Sequence, residues 1–159
     1  MSGDDEHPGP FRLAVEADLP ALEDLEARSF EEPWPRTALA SELSLQPSFF
    51  LLADGASGDL DAYASFRVVA DEAELLRIAV SPVRRHRGLA AALLAAGLER
   101  CHESGARRCF LEVREDNHGA IRLYRACGFR PTGRRGSYYQ DGATALLMIL
   151  DPIPGRALV

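Results

Sequence analysis

The chain predicts a single domain of mixed α/β class, built on one mixed sheet with helices against it. Three observations carry that expectation. Strand-like alternation, as in "RRCFLEV" at 107–113, is interleaved with helical spacing, as across 89–104. The elements read in the order β-α-α-β-β-β-α-β-α-β-β, with no internal repeat. At 159 residues and 47% hydrophobic composition, the chain has one domain's length and enough apolar content to fill its core.

Residues 1–10, "MSGDDEHPGP", are acidic and lack the apolar stretch of a secretion signal, so they read as a disordered lead-in. The domain is expected over 11–151. "FRLAV" (11–15) reads as the first strand. In "ADLPALEDLEARSF" (17–30), Leu19, Leu22, Leu25 and Phe30 fall at roughly helical spacing, with Asp18 as candidate N-cap. "PWPRTALASELSL" holds a second, short helix starting near Thr37. Three strands follow, "SFFLLAD" (48–54), "LDAYASFRVVA" (60–70) and "AELLRIAV" (73–80), joined by turns short enough for hairpins. Over 89–104 the apolar or small residues Leu89, Leu93, Gly97 and Cys101, with Ala90, Leu94 and Leu98, make one helix face that Gly105 ends.

In "RRCFLEV" the alternation puts Cys109, Leu111 and Val113 on one face and Phe110 with Glu112 on the other. "NHGAIRLYRACGF" (117–129) is a helix capped by Asp116 or Asn117 and ended by Gly128. "GSYYQD" and "ATALLMIL" form a closing pair of strands around Asp141-Gly142. "PIPGRALV" (152–159) is expected as a loosely held tail.

Composition narrows the chemistry. The three cysteines, Cys101, Cys109 and Cys127, show no C-x-x-C pairing and have apolar neighbours, which reads as reduced thiols in a cytoplasmic protein. The four histidines show no ligand spacing, so no metal site is expected. No apolar run approaches the roughly 20 residues of a membrane span. All 18 basic residues are arginine, which excludes a P-loop lysine and a Schiff-base lysine. Residues 1–74 hold 17 acids against 4 arginines, and 75–159 hold 7 against 14. Overall acidity speaks against direct nucleic-acid binding, while the basic half suits a phosphorylated ligand.

The basic half opens on "RRHRGLA" (84–90), placed between a strand and a helix. A helix start offers free N–H groups and partial positive charge to an anion. With Arg85, His86, Arg87, Gly88, Leu89 and Ala90 forming R-x-x-G-x-A after "RIAV", the chain resembles the GCN5-related N-acetyltransferase superfamily. The strings "AELLRIAVSPVRRHRGLAAALL", "FLEVREDNHGAIRLYRACGF" and "SYY" make it most similar to the branch of ribosomal-protein alanine N-acetyltransferases (RimI-like).

The resemblance implies acetyl-CoA as co-substrate, with its pyrophosphate on the loop 85–90 and on Ala91. It implies a splayed strand at Ile78, Ala79 and Val80, pairing on one side with the pantetheine arm, with the Val80 N–H holding the oxyanion. It assigns Glu112 as proton acceptor, Tyr124 as proton donor and Asn117 to the coenzyme arm. Trp34 and Tyr138 become candidate acceptor-binding residues, with pinning of the corner between the first two helices as the alternative for Trp34. A peptide α-amine, with pKa near 7.7–8.0, costs only about 1 kcal/mol to deprotonate at pH 7, so a single carboxylate suffices.

The acceptor half departs from the branch. Pro35 stands where a capping Ser is usual, Gln140 where a Pro is common, and Ala143-Thr144 lacks an acidic pair. The expected function is acetyl transfer to a protein or peptide N-terminal α-amine, possible on a ribosomal protein, by direct attack in a ternary complex. The alternatives are a small-molecule amine acetyltransferase and a catalytically silent acetyl-CoA-binding module. Retention of Glu112 and Tyr124 argues against silence.

Overall fold

The computed structural model describes residues 11–45 and 47–155. The lead-in expected over 1–10 and the last four residues of the expected tail lie outside the described residues. The strands are β1 (Phe11–Leu13), β2 (Phe49–Asp54), β3 (Leu60–Val69), β4 (Glu72–Val80), β5 (Arg108–Arg114), β6 (Arg130–Arg135) and β7 (Ala145–Leu150). The helices are α1 (Leu19–Ser29), α2 (Arg36–Ser44), α3 (Leu89–Glu103) and α4 (His118–Ala126). They form one sheet in the order β1-β2-β3-β4-β5-β7-β6, antiparallel except where β4 meets β5. The predicted class and element order are those observed.

Each face of the sheet carries its own apolar cluster. On one, Leu22 and Leu25 of α1 and Leu39 of α2 pack with Phe50, Leu52 and Tyr63. On the other, Leu93, Leu94, Leu98 and Cys101 of α3 pack with Phe66, Leu111 and Val113, and Tyr124 of α4 joins them. The alternation predicted for β5 holds: Cys109, Leu111 and Val113 are buried, while Arg108, Phe110, Glu112 and Arg114 are half-buried. Gly97 lets α3 lie flat on β3, since a Cβ there would sit 2.1 Å from Cε2 of Phe66.

The parallel pairing of β4 with β5 is short. It runs only from Glu72 opposite Arg108 to Leu75 opposite Leu111. Both strands then continue, β4 for five residues to Val80, without pairing to each other. A V-shaped opening therefore splits the middle of the sheet.

Two expectations need correction. The closing hairpin is not "GSYYQD" with "ATALLMIL": β6 is Arg130–Arg135, paired with β7 from Arg130 opposite Ile149 to Arg135 opposite Ala145. Residues 136–144 form the connecting loop. Ser137 and Gly142 adopt left-handed φ of 51° and 86°, which a strand cannot accommodate. Second, the start of the C-terminal segment is tied down. Ile153 is buried in the larger cluster and its N–H donates to the Arg107 carbonyl at 2.8 Å.

Asp18 does occupy the N-cap position of α1, but its carboxylate is not spent on that helix. It accepts the Val15 N–H at 2.7 Å and pairs with Arg12, which fixes the turn between β1 and α1.

Candidate active site

Two cavities lie against the sheet, one on each face. The first is a groove of about 700 Å³ beside α3 and α4. Its walls include Ile78, Ala79 and Val80 of β4, Arg85, His86 and Gly88 of the following loop, and Leu89, Ala90 and Ala91 of α3. Asn117 closes it from α4. These residues, chosen from sequence alone, are thus brought together. Arg87 is not: it is exposed and does not line the groove.

The edge of β4 that faces the splay is open. Ser81 donates its N–H to the Asp61 carbonyl at 2.8 Å, on the β3 side. Amides of neighbouring strand residues point to opposite edges, so the Val80 N–H faces the splay. The Val80 carbonyl, on the same edge, accepts Nε of Arg85 at 3.1 Å. Arg85 also reaches the Ser29 carbonyl at 3.4 Å, so its guanidinium ties the end of α1 to the end of β4.

At the start of α3 the backbone is arranged for an anion. Gly88 is its N-cap, with φ 81°, a conformation strained for any residue with a Cβ. His86 is also left-handed, at φ 65°. The first intrahelical bond runs from the Ala92 N–H to the Gly88 carbonyl at 3.1 Å. The amides of Leu89, Ala90 and Ala91 therefore have no intrahelical acceptor, and glycine offers no capping side chain. Arg84 pairs with Asp61 at 3.4 Å. Arg122 of α4, overlooked in the sequence, lines the same groove as a further cation. Its signal was the i, i+3, i+4 spacing that sets Gly119, Arg122 and Leu123 on one helix face.

Asn117 does what an N-cap does: its Oδ1 accepts the Ala120 N–H at 3.1 Å, and it also faces the groove. Tyr124, buried on the same helix, packs edge-on against Phe129 with centroids 5.8 Å apart. Burial, reinforced by the nearby Tyr139, pushes its phenol pKa well above the usual range. Its hydroxyl has no hydrogen-bond partner among the described residues.

The second cavity, about 590 Å³, opens on the opposite face, the one that α1 and α2 leave partly uncovered. Phe110 and Glu112 of β5, Arg67 of β3, Glu74 of β4 and Arg135 of β6 line it. Glu112 is the first β5 residue beyond the last β4–β5 pair, so it stands where the splay begins. Its Oε1 accepts the Tyr138 hydroxyl at 2.8 Å and its Oε2 lies 3.0 Å from Nη1 of Arg135. Glu112 is thus paired with an arginine and lies at the edge of the cavity. Glu112 and Tyr124 lie on opposite faces of the sheet and flank the splay between them.

Trp34 lines neither cavity. It pins the α1–α2 corner, through its N–H to Oε1 of Glu26 at 2.8 Å. Glu26 is fully buried, and it also accepts the Tyr63 hydroxyl and both Nε and Nη2 of Arg77, at 3.0 and 2.8 Å. The Arg77 guanidinium lies 3.8 Å from the Phe30 ring centroid and 5.0 Å from that of Trp34. None of this network was foreseen from the sequence.

The cysteines offer no nucleophile. Burial raises the pKa of Cys101, Cys109 and Cys127, which keeps them as thiols. Among the described residues, no group of three or more His, Cys, Asp or Glu side chains is placed to hold a metal. No described helix is long and apolar enough to cross a membrane.

The chain is similar to known proteins over most of its length. The chain is 36% identical over 138 residues to ribosomal protein bS18-alanine N-acetyltransferase of Escherichia coli, covering 86% of this chain and 92% of that one. It is 33% identical over 154 residues to N-alpha-acetyltransferase RimI of Mycobacterium tuberculosis, covering 92% and 95%. The crystal structure of the Escherichia coli ribosomal-protein-S18-alanine N-acetyltransferase superposes with a TM-score of 0.80 at 35% identity, over 94% of this chain and 97% of that one. Residues 19–129, which hold the splay, the cradle at α3 and both candidate proton-transfer groups, match the family described as Acetyltransferase (GNAT) family, and the chain belongs to that family as an N-acetyltransferase.

Proposed function

We propose that the protein acetylates the N-terminal α-amine of a protein, of the ribosomal-protein alanine type, by direct attack on acetyl-CoA in a ternary complex. The observation that carries this reading is the position of Glu112, a partnered carboxylate at the point where β4 and β5 part. It stands on the face opposite the anion cradle, so donor and acceptor approach the splay from different sides.

The groove fits the coenzyme on its own features. The free amides of Leu89, Ala90 and Ala91, held by left-handed Gly88 and His86, suit a pyrophosphate, with Arg122 adding charge. The open edge at Ile78 and Val80 suits the amide groups of a pantetheine arm, and Asn117 faces the same channel. Acetyl-CoA, when bound, supplies the acetyl group as a thioester.

The chain's own residues handle the protons. Glu112 takes the proton that the ammonium must lose, a transfer made easy by an α-amine pKa near 8. The Val80 N–H, facing the splay, stabilises negative charge on the carbonyl oxygen. Tyr124, buried beside the groove with its phenol protonated, donates to the departing thiolate. Tyr138, which lines neither cavity itself, holds the Glu112 carboxylate by one oxygen. A cytoplasmic location follows from three reduced thiols and a ribosomal type of target.

The test is release of free CoA thiol from acetyl-CoA with short peptides that differ only at a free N-terminal residue. Polyamines and aminoglycosides are run alongside. Turnover with alanine-initiated peptides, abolished by blocking the α-amine, is the expected result. Turnover confined to the polyamines or aminoglycosides makes this a small-molecule enzyme. Acetyl-CoA binding without turnover leaves only a binding module.

A further inference from the structure

Unmatched positive charge gathers on one face, at the last edge of the sheet. Residues 117–140 hold five arginines and no acid, in a protein whose net charge is −6. They fold as α4, β6 and the start of the loop to β7. A third hollow, of about 530 Å³, lies where α4 meets β6 and β7, lined by Arg125, Pro131, Thr132, Gly133, Arg134 and Leu146. Most described arginines elsewhere reach a carboxylate, Arg12, Arg67, Arg77 and Arg114 among them. Here that balance is missing. Arg125 and Arg130 are exposed and, among the described residues, make no ion pair and no side-chain hydrogen bond. Arg134 comes no nearer than 3.7 Å to Glu115, and its side chain is 70% exposed. The acids next in sequence, Asp116 and Asp141, are both bonded to Arg114. The overall acidity of the chain is therefore not shared by this face, which attracts anions.

The form of the face selects the kind of anion. β6 is the last strand of the sheet, so its outer edge is unpaired. Charge and a proline on such an edge guard it against a stray strand. That role accounts for Pro131 and the arginines of β6, but it needs no Arg125 on the helix. It also disfavours an acidic peptide added as a further strand, because Pro131 has no N–H and the register shifts between Pro131 and Gly133. Nor does the hollow anchor a peptide's apolar side chains, since Pro131 and Leu146 are the apolar side chains that line it. A phosphate backbone requires less: exposed guanidinium groups, free of carboxylates, that can meet successive phosphates. No aromatic residue lines the hollow, so no base stacks there and sequence is not read.

We infer that the α4–β6 face binds RNA through its phosphates, with Arg125, Arg130 and Arg134 as the contacts. Arg122 is not counted among them, because it lines the coenzyme groove. Thr132 lines both this hollow and the second cavity, so RNA held here lies across β6 from the acceptor's approach. The phosphate contact stands without the N-terminal acetylation reading. RNA as its source rests on that reading, since an acceptor of the ribosomal-protein type is itself a partner of RNA.

The experiment measures fluorescence anisotropy of a labelled oligouridylate with the full-length protein, with and without saturating acetyl-CoA. For the wild type, the logarithm of the affinity falls with that of the salt concentration at a slope of about −2, roughly −0.7 for each phosphate met by the three arginines. That slope is an about twentyfold loss of affinity between about 50 and 200 mM salt. Arg125→Gln combined with Arg130→Gln and Arg134→Gln weakens binding at least about tenfold at the lower salt and brings the slope near zero. Arg36→Gln combined with Arg100→Gln and Arg107→Gln removes the same charge from exposed sites elsewhere and keeps the slope. Equal losses in the two variants overturn the inference, as does a slope that survives the first. Displacement of the RNA by acetyl-CoA also overturns it, because the coenzyme groove would then be the RNA site. So does polyglutamate of equal length bound as tightly as the RNA, which would make this a surface for acidic peptides. Failure of the N-terminal acetylation reading shows separately, as absence of turnover with every peptide, and leaves the anisotropy to decide the contact by itself.

Discussion

Tyr138 donates its hydroxyl to Oε1 of Glu112 across 2.8 Å, from a loop to a strand 26 residues earlier in the chain. With Arg135 on the other oxygen, the carboxylate is held in one orientation at the point where the sheet opens. A residue so placed can accept a proton without first paying to become ordered. The second cavity thus has its Glu112 carboxylate held from the β6–β7 loop, while the groove beside α3 and α4 is walled by β4, the loop after it, and those two helices.

Tyr124 tests the other proton. Its hydroxyl has no partner to lose, so Tyr124→Phe leaves stability within about 0.5 kcal/mol of the wild type. Turnover falls roughly 100-fold, with acetyl-CoA affinity unchanged. Stopped-flow rates and a binding isotherm separate the two effects. A raised phenol pKa also predicts that the wild type keeps its donor protonated beyond pH 10.

Two glycines on α3 separate binding from packing. Gly88 has open space where a Cβ would stand but a left-handed φ of 81°, so Gly88→Ala strains the cradle by roughly 1–2 kcal/mol and raises KM for acetyl-CoA. Gly97→Ala drives a Cβ into the Phe66 ring, 2.1 Å from its Cε2, and costs roughly 1–3 kcal/mol of stability. Thermal melts show the larger loss for Gly97→Ala. Initial rates show the KM change for Gly88→Ala alone.

Buried thiols and phenols set the alkaline limit of the fold. Cys101 and Cys109 have folded pKa values raised by burial, as do Tyr63 and Tyr124. A raised folded pKa means that the folded state holds the proton longer than the unfolded chain does. Stability is therefore full below the unfolded thiol pKa of about 8.5 and declines above it, then declines more steeply past about pH 10 as the phenols join. Each such group contributes a slope of up to about 1.4 kcal/mol per pH unit. Urea unfolding between pH 7 and 10.5 checks the shape, and Cys101→Ala flattens its first part.

Arg77 carries the charge balance of the α1–α2 corner. Arg77→Leu leaves Glu26, fully buried, with only Tyr63 and the Trp34 amide as donors. Removing one partner of a buried pair costs about 3–5 kcal/mol, and the midpoint of urea unfolding should fall accordingly. Glu26→Gln with Arg77→Leu recovers part of that loss, because no uncompensated charge remains.

The parts legible in the sequence were those with local signals. Alternation in "RRCFLEV" and the spacing in 89–104 revealed β5 and α3, and R-x-x-G-x-A marked the cradle before α3. β6 was missed because "RPTGRR" contains a proline and a glycine, and it becomes a strand only because β7 offers its free edge. "GSYYQD" carried a better strand pattern, yet left-handed Ser137 and Gly142 bend it into a loop. Long-range contacts left no trace in the pattern. Neither the gathering of Trp34, Tyr63 and Arg77 around Glu26 nor the reach of Tyr138 to Glu112 follows from spacing. Arg85 and Arg87 stand two apart in one motif, but only Arg85 turns into the groove.

The most direct test of the account is Glu112→Gln, measured for two quantities on the same preparation: the single-turnover rate of acetyl transfer to an alanine-initiated peptide, and the affinity for acetyl-CoA. The account predicts a rate lower by about 10²–10⁴-fold with affinity within a factor of two, since the coenzyme groove lies on the opposite face. Equal losses of both, or a rate left intact, would contradict it and make Glu112 a structural partner of Tyr138 and Arg135.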